Sequence, residues 1–174
     1  PNIGTHNALM SLGDGMYLEI IAPQVHNTKL TGPFSGFEHF TELTPVGWVV
    51  SGSLSAIENE LNQSSLQHTG IVSGKRKAPS GMLLNWETIF VTQENRINMN
   101  PFFIEWSPDT THPSLSNPTG CTLVDYAVSD NASALIKGHL KGIEPRYDIP
   151  VSEKAAGTLL SIGLNTPKGY IKFG

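Results

Sequence analysis

Apolar and polar residues alternate with the two-residue period of a β-strand in several runs. In two of them a single carboxylate interrupts an apolar stretch: Tyr17-Leu18-Glu19-Ile20-Ile21 and Phe102-Phe103-Ile104-Glu105-Trp106. A strand sends successive side chains to opposite faces, so Glu19 shares a face with Tyr17 and Ile21. Glu105 shares one with Phe103, while Phe102, Ile104 and Trp106 point the other way. An ionised carboxylate in such a run is costly unless it is paired, hydrogen-bonded or bound to a cation. Two of them at matching positions therefore invite a functional reading, against the plainer one in which both faces meet solvent.

Taken in order, the pattern predicts a strand from Gly4 to Leu12, a turn at Gly13-Asp14-Gly15 and a second strand from Met16 to Ala22, ended by Pro23. Residues 24–45 read as an irregular surface connection. Its Phe34, Phe37 and Phe40 suit either a lid or a short amphipathic turn packed on the core. Val46 to Ser51 reads as a strand, and Ser53 caps a helix running to about Gln63 with Leu54, Ile57 and Leu61 on one face. Strands follow at Ile71 to Ala78, Met82 to Thr92 and Phe102 to Ser107. A proline-rich loop spans Pro108 to Pro118. Beyond it the order starts again: a strand from Cys121 to Ser129, a helix capped by Asp130 or Asn131 and stopped at Gly142, an ambiguous stretch from Glu144 to Lys154, and a hairpin around Asn165-Thr166-Pro167.

The expected fold is therefore α+β, made of tandem βαβββ units. A core at 1–118 holds a partial first unit (1–23), the connection (24–45), a complete unit (46–107) and the loop (108–118). A third βαβββ-like unit occupies 119–174. The first unit lacks its leading strand and helix, and its two strands correspond to the last two of the complete unit, which sets Glu19 against Glu105. A sheet without its first strand has an open edge that a second copy can complete, so a homodimer is expected.

Composition narrows the function. The chain has 174 residues with 39% hydrophobic and only 15% charged, which suits buried strands and one domain or two small ones. The net charge of -4 and the lone basic run Lys75-Arg76-Lys77 argue against nucleic acid as a partner. No apolar run approaches a membrane span. One cysteine, Cys121, makes no disulfide framework and no zinc motif, which fits a reducing cytoplasmic compartment. No GxSxG nucleophile pattern occurs, and Gly13-Asp14-Gly15 is no phosphate loop, since no helix follows it.

The strings GTHNALMSLGDGMYLEIIAP, GWVV, SGMLLNWET and PFFIEW, followed by His112-Pro113 and Pro118-Thr119-Gly120-Cys121, are similar to the glyoxalase-like domain family. That family lies within the vicinal oxygen chelate superfamily, which includes glyoxalase I and extradiol dioxygenases. The resemblance spans roughly Gly4 to Cys121. It implies a curved, mixed, half-open sheet around one divalent metal (Mg, Mn, Zn or Ni), with ligands on the first and last strands of each unit. Carried over, Glu19 and Glu105 match last-strand ligands. The first-strand position of the complete unit falls at Gly47 or Trp48, neither a metal ligand, and that of the first unit falls before Pro1. Two carboxylates, with His6 beside them, form the metal set this leaves.

The candidate catalytic residues are Glu105 and Glu19, either serving as a base next to a carbonyl. The candidate substrate-binding residues are His6, Arg76, Trp86 and His112, and each carries a second reading. His6 pairs with Glu19 or bonds a neighbouring loop. Arg76 clamps an anion or guards an edge strand with its lysine neighbours. Trp86, like Trp48 and Trp106, walls a pocket or fills the core. His112 reaches over the site or anchors its loop. The expected function is a glyoxalase-like small-molecule protein: a metal-assisted lyase or isomerase, or a protein that sequesters its ligand without turnover.

Overall fold

The computed structural model describes residues 4–13, 15–24, 26, 30, 34–64, 66–78, 80–92, 101–129, 151–154 and 160–174. The helix expected from Asp130 to Gly142 and residues 93–100, between two of the expected strands, lie outside the described residues. Among those described, the chain is mostly β with few helices, in three sheets, none of them closed.

The first sheet is the expected hairpin. β1 (Thr5–Gly13) and β2 (Met16–Pro23) run antiparallel with Leu9 opposite Glu19 and Asn7 opposite Ile21. Gly13 and Gly15, at φ +82° and +77°, turn the chain in a left-handed conformation that residues with a Cβ rarely adopt. A short 3-10 turn at Phe37–His39 follows. The rings of Phe34, Phe37 and Phe40 meet edge to face, at centroid distances of 5.5 and 5.9 Å.

The middle sheet is built from β3 (Val49–Ser51), β4 (Gln67–His68), β5 (Val72–Lys77), β6 (Leu83–Thr92) and β7 (Phe102–Trp106). β3 lies parallel to β7, β7 antiparallel to β6, and β4 and β5 both pair with β6. Between β3 and β4 runs α1 (Leu54–Asn62), whose Leu54, Ile57 and Leu61 are buried as their spacing predicts. They pack with Ile89, Val91 and Phe103, which share the opposing face of the sheet. This face, with Glu105 and Glu87 directly opposite each other at its end, is the helix side. The other face carries Ile104, Trp106, Trp86, Thr88 and Arg76.

The loop expected from Pro108 to Pro118 contains one helical turn, α2 (Pro113–Ser116), which packs on β1 and β2. Ser11 N–H donates to Pro118 C=O at 2.8 Å, tying the hairpin to the chain beyond that turn. The third sheet has the order β11-β10-β8-β9, from β8 (Thr122–Ser129), β9 (Val151–Lys154), β10 (Leu160–Thr166) and β11 (Gly169–Phe173). Trp48 reaches Tyr126 of this sheet at a ring distance of 5.8 Å. Among the described residues no helix is long and apolar enough to cross a membrane.

Candidate functional site

The hairpin lies against the non-helical face of the middle sheet. Asn7, Leu9 and Ser11 of β1 share a face with Tyr17, Glu19 and Ile21 of β2, because the register sets them opposite one another. From that face the Asn7 side-chain amide donates to Glu19 Oε1, and its carbonyl oxygen accepts from Arg76 Nη1. The two bonds orient the amide, since only one end of it donates. A carboxylate and a guanidinium are thus joined through one asparagine.

Aromatic rings close the other end. Tyr17 meets Trp106 edge to face at 6.3 Å and His112 at 5.7 Å, while Trp106 lies 5.5 Å from Trp86 and 6.2 Å from His112. Trp86 lies across Gly74, where an added Cβ would come within 2.4 Å of the indole. Burial, and then the negative charge of Glu19, push the Tyr17 phenol far above its ordinary range, while Trp106 and Arg76 pull the other way. Tyr17 is therefore a neutral phenol at any physiological pH. The pull of Trp106 is that of its indole N–H leaning on the phenol as a donor, and that N–H is buried and reaches no partner at full hydrogen-bond geometry.

His112 anchors its loop and meets the cluster at once. Its Nδ1 accepts from the Ser114 backbone N–H at 3.2 Å and lies 2.8 Å from Ser114 Oγ, so the helical turn α2 is capped by the same ring that touches Tyr17 and Trp106. Burial lowers its pKa, which favours the neutral imidazole.

The structure brings together Glu19, Arg76, Trp86 and His112 from the expected set. It does not bring Glu105 or His6 to them. Glu105 points to the helix side, where its Oε2 accepts from the Leu54 N–H at 2.8 Å and so caps α1 in place of Ser53, whose side chain makes no capping bond. His6 is exposed and, one residue from Asn7, sits on the opposite face of β1. Asn7 and Tyr17 belong to the cluster although the sequence offers no chemical signal for them, and Trp106, singled out in the sequence only as a pocket wall or core ring, joins them. Strand parity and the position of the glycine turn carry the information for the first two.

Glu105→Ala is expected to destabilise the protein by about 1 kcal/mol through the lost cap. Relief from Glu87 directly opposite offsets part of it. Glu105→Gln keeps an acceptor and is expected to cost less than half as much. Urea melts of the two variants read the difference, and equal losses would mean that the cap is not what Glu105 contributes.

A divalent metal needs several converging oxygen or nitrogen donors. Here Glu19 is partnered by an amide that is itself held by a guanidinium, Glu105 serves the helix, and His6 faces elsewhere. Among the described residues no three His, Cys, Asp or Glu side chains come together in a way that would hold a metal ion. Among the described residues, the donor set on this face does not fit a dication.

A family model described as a glyoxalase-like domain matches residues 1–137. Among solved structures, the crystal structure of a hypothetical protein from Staphylococcus aureus is similar at a TM-score of 0.57. The identity is 15%, with 99% of this chain and 73% of that one covered, so the likeness concerns the fold alone. No curated protein matches the chain.

Proposed function

The chain belongs to the glyoxalase-like domain family of the vicinal oxygen chelate superfamily, and from that premise we propose that it binds a small organic molecule on the hairpin-covered face of its middle sheet. The observation that carries this is convergence. Elements far apart in the chain deliver Glu19, Arg76, Trp106 and His112 to one cluster, with two indoles for an apolar body and a few polar groups to orient it. The tandem βαβββ arrangement is part of the same proposal. It is supported by the middle sheet, where the strand before the helix lies parallel beside the last strand.

Catalysis is the second reading, and Glu19 carries it. Asn7 engages Oε1, and among the described residues no donor is bonded to Oε2, which leaves that oxygen to take a proton from carbon next to a carbonyl. This is lyase or isomerase chemistry on the chain's own residues. The superfamily often uses a divalent metal, whereas the base in this reading is Glu19 itself. Pairing with a second copy through the outer edge of β3, which has no strand partner among the described residues, is also proposed, and light scattering reads it.

Tryptophan fluorescence titrated with planar carbonyl compounds tests the binding reading. Saturable quenching is expected in the parent protein and a loss of at least tenfold in affinity in Trp106→Leu, a contact of about 1.4 kcal/mol or more. Fluorescence unchanged across such compounds would overturn it. For any compound that is turned over, Glu19→Gln is expected to lower kcat by about 10²–10⁴-fold with binding retained. A kcat within twofold of the parent would remove Glu19 from the chemistry.

A further inference from the structure

The groups that converge on this face are unbalanced in hydrogen-bonding type. Trp106 Nε1–H is buried and, although it leans on the Tyr17 phenol, meets no acceptor at full hydrogen-bond geometry, a shortfall that folded proteins rarely tolerate without a reason. His112 receives the Ser114 backbone N–H on Nδ1, so the proton of its neutral ring is on Nε2, and a second donor belongs to the ring that touches Tyr17 and Trp106. Arg76 has five N–H groups, and among the described residues Asn7 engages one of them. The carboxylate in the cluster, Glu19, already has the Asn7 amide on Oε1. Donors therefore exceed acceptors, and the excess includes a planar guanidinium fork.

On the reading that this face binds a small molecule, we propose that the molecule is a monocarboxylate with a planar body, its carboxylate received by Arg76 and the Trp106 indole N–H. A carboxylate matches the guanidinium fork and offers lone pairs to a further donor. A dianion is disfavoured, because Arg76, the one guanidinium in the cluster among the described residues, is already partly balanced by Glu19 through Asn7, and a second negative charge would find no further cation among those residues in a half-buried site. The planar body follows from Trp86, which lies over Gly74 and beside Trp106 and so presents a supported ring.

The probes are 2-naphthoate, its neutral analogue 2-naphthamide and 2-naphthyl phosphate, titrated calorimetrically into the parent protein. Naphthoate is expected to bind at least about tenfold more tightly than naphthamide, the scale of one charge-assisted hydrogen-bonded contact. In Arg76→Gln that preference is expected to fall below about twofold, with circular dichroism checking the fold. Trp106→Phe keeps a ring and loses the N–H, and is expected to weaken naphthoate by about three- to tenfold. Equal affinities for naphthoate and naphthamide, both lost in Trp86→Ala, would overturn the carboxylate inference and leave the binding reading standing. Tighter binding of the phosphate would overturn the monoanion. Binding of none of the three would overturn both.

Discussion

Phe103→Ala is expected to remove about 3–5 kcal/mol of stability, the range for emptying an aromatic position in a closed core. Phe103 is 0% exposed and sits between sheet and helix, against Leu54, Ile57, Leu61, Ile89 and Val91. Each of these is itself at most 3% exposed, so no water reaches the space and the neighbours hold it open from both sides. α1 has one buried stripe, and Phe103 fills the middle of what it packs on, so the substitution loosens the helix as a unit. Phe103→Leu keeps most of the volume and is expected to cost less than about 1.5 kcal/mol. The midpoint of urea unfolding at unchanged slope measures both. A loss under 1 kcal/mol in the alanine variant would mean that helix and sheet are not packed through this residue.

The second large effect falls on the other face. Gly74→Ala places a methyl group within 2.4 Å of two indole atoms of Trp86, closer than any packed contact, so the ring must leave its seat. Overpacking of this kind costs about 1–3 kcal/mol. The consequence for the site exceeds the consequence for stability, because Trp86 supports Trp106, and Trp106 touches Tyr17 and His112. The exciton couplet of the two tilted indoles in far-ultraviolet circular dichroism is expected to collapse. The decisive comparison is the same substitution in a Trp86→Ala background, where the clash is absent and alanine is neutral or slightly stabilising in a strand. An equal loss in both backgrounds would show that the indole is not what Gly74 accommodates.

Much of this architecture could be read from residue patterns. The helical spacing of Leu54, Ile57 and Leu61 marks the buried stripe, and Gly13 with Gly15 marks the hairpin turn, because each reports a local constraint. The alternation in Phe102 to Trp106 likewise predicts that Glu105 and Trp106 face apart. What alternation cannot say is which face meets the helix and which meets the hairpin. Matching β2 to β7 by repeat set Glu19 against Glu105, yet the Tyr17 and Glu19 face looks toward Trp106, while Glu105 looks toward α1. One residue of offset exchanges the faces of a strand, and only the tertiary packing decides that offset. Asn7 shows the same limit. Its type is unremarkable in a strand, and its role comes from sitting diagonally across from Glu19 while Arg76 arrives from a strand 69 residues away.

The cap of α1 also bears on how the molecule opens and closes. The first free N–H of this nine-residue helix is satisfied by a carboxylate 51 positions further along the chain. A helix of that length is marginal alone, and a helix whose cap is supplied from another element has one more reason to wait for it. α1 and β7 therefore belong to one cooperative unit, in which the helix start is secured only when the last strand of the sheet docks. Amide hydrogen exchange would see that unit as shared protection: Leu54 and the amides of β7 would exchange through the same opening, at the same free energy and with the same response to denaturant.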